Sequence, residues 1–551
     1  GFGSKPDPVE AFNAELVAHT TAVRAIYNRV FVDGSSEKPV ATTKADERPL
    51  LDDETSRLVR HAVAALSKMT SDSHRDAENA VSESLAKCIN PMRSLRNLTH
   101  WAESLATYRR EETGSIAEIL STGESVIIER VMITLSSPYL AQIMISRPAL
   151  AVAAVSSHES LTKEAFLADM KAAVEQAAGV AARTDCLRHV WYEQVVDIAY
   201  RDLAAAELTP ENEGAGETGG RSLIRGATGS LRSNNLEQTA LAEASLELAI
   251  GIALQSLGAN EPANLRYAVM GLGRLGHRGM DYGSDLDLLV VFDDEGDWNP
   301  SVCGGQYGTA KEFYAALTSQ LIRILSAVTR EGFLYHVDLR LRPEGQSGPL
   351  AHGLSSLAAY LRERASGWEH SAYLKVREVA GDPAFGLRVR EEICEAAFAA
   401  AARNQSLKQE LAHVRARLES EKARSNKRNI KWGPGGMTDV YFITRYLQLR
   451  DRVNFPTERG TTELIEHLGK IGSLDREAAA RLFDGYIFLR RLDHWIRLLV
   501  DRPAALLPTS PTSLGDIASA MKSGSIDELE RDYDDATSAI RAVYEQVFAS
   551  D

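Results

Sequence analysis

The strongest constraint on the fold is a change of sequence pattern along the chain, from helical to mixed and back to helical. Residues 51–208 repeat apolar positions at helical spacing, as in "LVRHAVAALSKM" and "YEQVVDIAYRDLAAAEL", and contain little strand pattern. Strands are predicted next at "LRYAVMGL", "LDLLVVFDD" and "FLYHVDLRLRP", with a helix, "KEFYAALTSQLIRILSAVT", between the last two. From about Phe385 the pattern is helical again. The sequence therefore predicts a mostly α, α+β protein with a mixed sheet core between largely helical domains.

The same changes of pattern predict the domain boundaries. We expect a helical domain at 32–208, a flexible Gly-rich linker at 209–235, the mixed core at 236–385 and a C-terminal helical domain at 386–551. A repeat suggests what residues 1–31 are: "AVRAIYNRVF" at 22–31 matches "AIRAVYEQVF" at 539–548 in six of its residues, Ala, Arg, Ala, Tyr, Val and Phe. Two amphipathic helices can match this well by chance. The alternative, which we favour, is that residues 1–31 are the tail helix of a preceding unit.

Composition excludes several classes of function. The 551-residue chain carries a formal net charge of -14, which argues against binding nucleic acid through general basicity. Its four cysteines lie far apart, without the spacing of a zinc site or a disulfide framework. No apolar run approaches the roughly 18 residues of a membrane helix, and the first residues lack the apolar core of a signal peptide. We therefore predict a cytoplasmic protein whose partners are neither nucleic acid nor a membrane.

Two aspartates one residue apart lie at the start of the most apolar strand. In "GSDLDLLVVF", Asp285 and Asp287 share a face, because side chains two apart on a strand point the same way. The strand "FLYHVDLRLRP" presents a second charged face, made of Asp338, Arg340 and Arg342. If the two strands are neighbours, three carboxylates converge, and a divalent cation is needed to offset their repulsion. Oxygen-only ligands predict Mg²⁺ at this position.

Phosphate binding is predicted beside these acids. The planar guanidinium groups of Arg340 and Arg342 can hold phosphate oxygens. Gly283 and Ser284 provide a tight turn with backbone amides and a hydroxyl, which is a common way of binding a phosphate. The alternative is that the aspartate pair is only the solvated face of a half-covered sheet. A third acid and two arginines nearby favour the metal and phosphate site.

A competing motif precedes the acids. "GLGRLG", residues 271–276, follows a predicted strand and formally matches the G-x-G-x-x-G dinucleotide fingerprint. That fingerprint opens a helix in dinucleotide-binding folds, whereas here the Gly-rich "HRGMDYGSD" follows without helical periodicity. We do not expect a dinucleotide site.

Four motifs, taken in order, resemble those of the glutamine synthetase adenylyltransferases, and their C-terminal adenylyltransferase unit most closely. They are "GLGRLGHRGMDYGSDLDLLVVF", "VDLRLRPEGQSGPL", "GWEHSAYLKVREVAGD" and "IKWGPGGMTDVYFITRYLQL", and the resemblance covers about residues 265–500. It implies a nucleotidyltransferase-type core with ATP as substrate and two Mg²⁺ ions. It also places the metal-binding, catalytic acids of the family on Asp285, Asp287 and Asp338.

The resemblance marks further residues that spacing alone does not. It implies that Lys375 and Arg377, two apart on a predicted strand, face the nucleotide; the alternative for both is a solvated edge. It implies structural roles for Trp368 and Glu369. One departure concerns Tyr441, which stands where the family usually has Glu.

The motifs disagree about the direction of the reaction. "GSDLDL" and "GGMTD" resemble the unit that attaches AMP from ATP to a tyrosine of glutamine synthetase, whereas "EGQSGPL" and "FLRRLD" resemble the unit that removes AMP by phosphorolysis. The repeated tail helix leads us to predict attachment, with release of pyrophosphate. Removal of AMP, giving ADP, and a non-catalytic regulatory half remain the alternatives. The implied partners are glutamine synthetase and a PII-type signalling protein, with glutamine as an effector.

Overall fold

The computed structural model describes nine stretches of the chain: 53–66, 74–107, 125–153, 162–208, 219–259, 265–423, 428–456, 460–500 and 505–549. Residues 54–551 form one compact unit. Within the described stretches, no helix combines the length and the apolar character needed to cross a membrane. The predicted tail helix at 22–31 lies outside the described residues.

The first half of the chain is helical, as predicted. Its helices are α1 (Asp53–Leu66), α2 (His74–Leu85), α3 (Pro91–Thr107), α4 (Ser125–Leu135), α5 (Pro138–Ser146), α6 (Leu150–Ala153), α7 (Lys163–Gln176), α8 (Gly179–Leu208) and α9 (Gly219–Ser256). Local sequence sets their ends: the Ser137 side chain accepts a hydrogen bond from the Leu140 amide, and Pro138 occupies the first turn of α5. Large apolar side chains such as Trp101 and Phe166 are fully buried between these helices.

The core is a five-stranded mixed sheet with short helices between its strands. In chain order the elements are β1 (Tyr267–Gly271), α10 (Gly273–Gly276), β2 (Leu286–Phe292), α11 (Ala310–Ser326), β3 (Val337–Asp338), β4 (Ala351–Gly353), α12 (Leu354–Glu363), α13 (Gly367–Tyr373) and β5 (Arg377–Gly381). The strand order is β3-β2-β1-β5. β1 is antiparallel to β2 and β5, whereas β3 and β4 are parallel to β2. One edge of β2 pairs with β1. The other edge pairs with β3 at the start of β2 and with β4 at its end.

Each face of the sheet packs against a different set of helices. Alternate residues of β1 and β2, including Ala268, Met270 and Leu289, join a core with α12 and with the helix after β5, α14 (Pro383–Arg403). The intervening residues, such as Val269 and Val290, join the larger core that extends through the other helices. This alternation is expected for strands. Within β2, a polar side chain occurs only at the start of the strand, where Asp287 lies.

The last part of the chain is helical, as predicted. Its helices after α14 are α15 (Leu407–Leu418), α16 (Met437–Arg450), α17 (Thr461–Lys470), α18 (Arg476–Leu499), α19 (Pro511–Met521) and α20 (Ile526–Ala549). The prediction of a mostly helical α+β fold is therefore confirmed. The four domain boundaries stay a prediction.

Two local expectations were wrong. Part of the predicted linker, residues 219–235, is helical and begins α9. Its Gly-rich composition was misleading because tertiary contacts hold its end: the side-chain amide of Asn235 donates to the Met280 carbonyl at 2.8 Å. The predicted strand "FLYHVDLRLRP" is also shorter than expected, because only Val337 and Asp338 pair with β2 and the chain then turns.

Candidate active site

The acids predicted from sequence lie at one edge of the sheet. β2 and β3 are parallel neighbours, and their register sets Asp287 directly beside Asp338. The pairing is fixed at its start by the Leu286 amide, which donates to the His336 carbonyl at 2.9 Å. Asp285 precedes β2 on the same face as Asp287 and is exposed. The strands are thus neighbours as the prediction required.

A cleft opens beside this edge of the sheet. Its volume is about 530 Å³, and its walls include Asp285, Asp338, Arg340, Arg342 and Gln346. A cleft of this size is within the range of small-molecule and cofactor sites. Two of the three predicted acids therefore line a space that can hold a nucleotide.

Asp287 sits in a restricted, partly buried position. Burial and the nearby charges of Asp338 and Asp285 raise its pKa to about 6, while Lys431 and Lys375 act in the opposite direction. Within the described residues its carboxylate has neither a hydrogen bond nor an ion pair. The carboxylate therefore favours a positive ligand.

The glycines of "GLGRLG" make room for this carboxylate. Gly273 has φ +52°, and a Cβ atom there would collide with the Asp287 carboxylate. A Cβ atom on Gly276 would collide with the Lys375 carbonyl. Only a single turn, α10, follows β1, and the next strand is antiparallel, so the βαβ geometry of a dinucleotide site is missing here, as expected.

Asp338 is held by a neighbour rather than left open. Arg340 pairs with both of its oxygens, with Nε at 2.8 Å and Nη2 at 2.5 Å from Oδ2. Partial burial disfavours the charged form of Asp338, but the hydrogen bonds and charge of Arg340 outweigh it and hold the pKa below its usual value. Arg340 itself is exposed, with 71% of its side chain accessible. Its pairing with Asp338 was not predicted.

Two of the three acids are better placed than the third to bind magnesium. Within the described residues, no group of three His, Cys, Asp or Glu side chains is arranged to hold a metal ion. Asp285 and Asp287 nevertheless lack ion pairs in the same part of the chain, and Mg²⁺ is commonly bound by one or two carboxylates together with substrate phosphates. Asp338 can join them through the lone pairs that its pairing with Arg340 leaves free.

Arg342 supports the loop that borders the cleft. It is buried, and its guanidinium donates to the carbonyls of Leu339 at 2.9 Å, Gln346 at 3.1 Å and Gly348 at 3.2 Å. These bonds use the fork predicted to bind phosphate. Phosphate binding by Arg342 stays a prediction, whereas its contribution to the loop is visible.

Lys375 and Arg377, which were predicted to face the nucleotide together, lie in different surroundings. Lys375 lies in the turn before β5, with Nζ 4.9 Å from the centre of the Tyr441 ring, and Asp287 is among its charged neighbours. Arg377, on β5, is buried and directed away from the acids: Nη2 contacts Glu243 of α9 at 2.5 Å and the Leu275 carbonyl at 2.9 Å. The structure brings only Lys375 to the acids.

Lys431 is a site residue that sequence reasoning missed. It belongs to "IKWGPGGMTD", and its charge acts on Asp287 although the two are 144 positions apart in sequence. Loss of surrounding water and the charge of Arg274 lower its pKa. The Thr438 hydroxyl donates to the Lys431 carbonyl at 2.5 Å, which holds this residue near the start of α16. The sequence signal that could have identified Lys431 is its position just before the Gly-rich turn "GPGG".

The loop that carries Gly283 and Ser284 is anchored from the C-terminal helices. Gly283 has φ +61°, and Ser284 is buried, where its hydroxyl accepts from the Asp281 amide at 3.1 Å. The Arg497 side chain of α18 donates to the Tyr282 carbonyl at 2.7 Å. The turn is therefore preorganised next to Asp285.

A buried ionic network completes this anchor. His494 of α18 lies between Asp202 of α8 at 2.8 Å and Asp281 of the loop at 2.9 Å. Burial alone would favour neutral His494, but the two carboxylates outweigh it and raise its pKa to about 10. The preceding residue, Asp493, pairs with Arg274 and with Arg497. The motif "FLRRLD" contains Asp493, but its sequence did not predict this network.

The Gly-rich turn "GPGGMTD" is also held by charge. Asp439 is fully buried, accepts from the Gly435 amide at 2.7 Å and pairs with Arg415 of α15. Glu369 accepts from the Ser366 amide and hydroxyl, which caps α13 and agrees with its expected structural role.

Comparisons with known proteins agree with the motifs. Residues 227–392 match the family model described as glutamate-ammonia ligase adenylyltransferase, and residues 405–548 match one described as GlnD PII-uridylyltransferase. The first matched region contains all three acids, and the second contains Lys431.

Several relatives carry the name bifunctional glutamine synthetase adenylyltransferase/adenylyl-removing enzyme. The protein from Xanthobacter autotrophicus is 33% identical over 287 residues, which is 52% of this chain and 29% of the relative. The one from Burkholderia pseudomallei is 28% identical over 446 residues, 75% of this chain and 44% of the relative. The one from Streptomyces avermitilis is 32% identical over 323 residues, 57% of this chain and 32% of the relative.

The chain thus spans less than half the length of these relatives. The first region matched by a family model includes the sheet and the acid edge, and the second includes the Gly-rich turn. The chain is therefore similar, over these regions, to the glutamine synthetase adenylyltransferases.

Proposed function

We propose that this chain is a nucleotidyltransferase that transfers AMP from ATP to a tyrosine of glutamine synthetase and releases pyrophosphate. The observation that carries the proposal is the parallel register of β2 and β3, which sets Asp287 beside Asp338, with Asp285 at the same edge. The relatives' names supply the reaction and the protein substrate. Regulation of nitrogen assimilation follows from that substrate.

The residues of the cleft have the charges needed to bind a nucleoside triphosphate with its metal. Asp285 and Asp287, together with Asp338, would hold magnesium. When bound, magnesium neutralises carboxylate and phosphate charge and stabilises the entering and leaving oxygens. Arg340 at the cleft wall, and Lys375 and Lys431 near Asp287, provide positive charge for the phosphates.

The chemistry requires in-line displacement at the α-phosphorus. The tyrosine oxygen forms the new P–O bond, the bond to pyrophosphate breaks, and the phenol proton leaves to a base. Because a phenol has a pKa of about 10, a neighbouring carboxylate or the metal must assist its ionisation.

A second candidate is the reverse type of reaction, phosphorolysis of adenylylated glutamine synthetase to give ADP. The observation that favours it is the position of Gln346, which lines the same cleft as Asp285 and Asp338. Gln346 belongs to "EGQSGPL", the motif that resembles the AMP-removing unit. The same acids serve both directions, so the co-substrate decides.

A non-catalytic regulatory half would differ in its acids. A core that only binds and signals has no need to keep two carboxylates without ion pairs next to a third, because such a cluster is costly. Metal-dependent turnover by the isolated chain separates the two possibilities. A PII-type protein as partner is supported by the match at residues 405–548, and glutamine as effector by the resemblance alone.

One assay distinguishes these functions. The purified chain is mixed with unmodified glutamine synthetase, Mg²⁺ and α-labelled ATP, and in parallel with adenylylated glutamine synthetase and phosphate. We expect label on glutamine synthetase and release of pyrophosphate in the first mixture. Formation of ADP in the second mixture, without labelling in the first, would establish phosphorolysis instead. No turnover in either would support the regulatory alternative.

A further inference from the structure

A second, smaller cavity lies among α9, the loop after α10, α17 and α18. Its volume is about 60 Å³, and the residues that matter for its chemistry are Arg232, His277, Arg278, Thr461, Tyr486 and Arg490. It has no lining residue in common with the acid cleft. The space suits a group of the size of phosphate or a small carboxylate, and is too small for a nucleotide.

The lining of this cavity is basic. Among the described residues, its lining includes three arginines and no aspartate or glutamate. Arg232 pairs with Glu463, and Arg490 donates to the Asn235 side chain at 3.0 Å. Arg278 is different: its guanidinium makes no hydrogen bond or ion pair within the described residues. A half-buried arginine in this state can accept an anionic partner.

Positive charge also lies behind the cavity wall. Arg445 is buried, its Nε has no hydrogen-bond partner in the described part of the chain, and its side chain bonds to the neutral Gln448. Arg445 and Lys375 both act on His277 in the wall and, with burial as the largest cause, keep the pKa of that histidine well below its usual value. Two further cations, Arg445 and Lys375, therefore act on this wall from behind.

The start of α17 adds backbone donors. This ten-residue helix begins at Thr461, and its N-cap, Gly460, supplies no side-chain capping bond. Both residues line the cavity. The amides of a helix N-terminus favour negative charge, as the arginines do, and Glu463 in the same turn, the partner of Arg232, supplies part of it.

We propose that this cavity binds a small oxyanion, a phosphate or carboxylate group, between Arg278, Arg490 and the N-terminus of α17. The site is separate from the nucleotide cleft and does not depend on the reaction proposed above. Its position gives it a route to the acids: Arg490 also contacts the Gly279 carbonyl at 3.4 Å and lies 3.8 Å from Asp281. The loop so held continues to Asp285, so the bound anion stabilises the acid-bearing loop.

The test combines binding with location. Thermal unfolding of the whole chain is followed with inorganic phosphate and, separately, with acetate, and crystals are soaked in arsenate so that its anomalous signal locates the anion. The main variant is Arg278→Gly, because Arg278 has φ +52° and glycine keeps this backbone conformation without strain. Arg278→Lys keeps the charge, and Arg481→Ala removes a charge from the exposed side of α18 as a control.

We expect phosphate to raise the melting temperature, arsenate density to appear beside Arg278, and Arg278→Gly to weaken phosphate binding at least about tenfold. Arg278→Lys should recover part of the affinity, and Arg481→Ala should leave it unchanged. An equal effect of acetate would identify carboxylates as ligands too. Arsenate density at the Asp285 cleft alone, an unchanged affinity in Arg278→Gly, or no anion binding would each overturn the proposal.

Discussion

At the scale of single residues, the acids divide into those with a partner and those without. Asp338 is paired with Arg340. Asp287 has a raised pKa and makes no ion pair within the described residues. A buried carboxylate without compensation costs free energy of folding, and natural proteins keep such groups at functional sites. Asp287 is therefore the residue whose replacement should separate function from stability.

We expect Asp287→Asn to lower turnover by at least about 100-fold and to leave the melting temperature equal or higher, because a repulsive charge is removed without a change of shape. Asp297→Asn, the same substitution at an exposed loop position, is the matched control and should change neither quantity. Steady-state kinetics and thermal unfolding measure the two effects. Near wild-type turnover at saturating Mg²⁺ would remove Asp287 from the site.

A second residue-scale prediction concerns Arg342. Lysine keeps its charge but cannot donate to three carbonyls in the geometry of the fork, so Arg342→Lys should lower the free energy of unfolding by about 1–3 kcal/mol. Turnover should fall with it, since the loop includes Gln346 at the cleft. Arg340→Lys, at an exposed ion pair, should change stability by less than about 0.5 kcal/mol.

Urea unfolding compares the two arginine variants. If Arg342→Lys is as stable as the wild type but binds ATP more weakly, the guanidinium acts on phosphate, as predicted from sequence, and the carbonyl contacts are secondary.

At the scale of elements, α18 matters most, because its buried charges hold the loop before β2. Asp493 is surrounded by the guanidinium groups of Arg274, Arg490 and Arg497, which outweigh the effect of burial and keep its pKa below the usual value. Removing a carboxylate from such a cluster leaves buried positive charges without a partner. The loss should therefore be larger than for any exposed charge on the same helix.

Asp493→Asn should destabilise the protein by about 3–5 kcal/mol. Glu477→Gln, in the exposed first turn of α18, removes the same charge and should change stability by less than about 0.5 kcal/mol. Both values come from urea unfolding at neutral pH. Equal stability of the two variants would show that the network contributes nothing net.

His494 gives the network a pH dependence. Its folded pKa of about 10 exceeds the ordinary value of 6.5, so the folded state keeps a proton that the unfolded state releases. The stabilisation is fully present below about pH 6.5 and is lost as pH rises towards 10, by about 1.4 kcal/mol per pH unit. The wild type should show this slope in urea unfolding, and His494→Gln should lack it. Parallel curves would contradict the assignment.

Sequence patterns predicted what is local. The spacing of apolar residues predicted the strand at Leu286, the helix α11 and the shared face of Asp285 and Asp287. The same alternation of apolar and polar residues predicted the strand β3. Patterns failed where a partner is distant. Arg377 looks like a strand-edge residue until Glu243, 134 positions earlier, is found against it.

At the scale of the whole molecule, ligand binding should be visible as stability. Anything that binds only the folded state stabilises it, by about 2.7 kcal/mol at a ligand concentration 100 times Kd. We expect Mg²⁺ and ATP together to raise the melting temperature, and EDTA to abolish the increase, because Asp285 and Asp287 would otherwise repel the triphosphate. Asp287→Asn should reduce this dependence on the metal. An ATP effect that survives EDTA would contradict metal-assisted binding.

The anchoring of the acid-bearing loop by α18 has a consequence for protein engineering. A fragment that ends before Arg476 lacks His494, Asp493 and Arg497, and so keeps the strands of the core but loses the groups that fix residues 281–285. The core is then not a portable module. In chimeras between relatives, α18 has to be exchanged together with Asp202, Arg274 and Asp281, or the two parts will meet with mismatched buried charges.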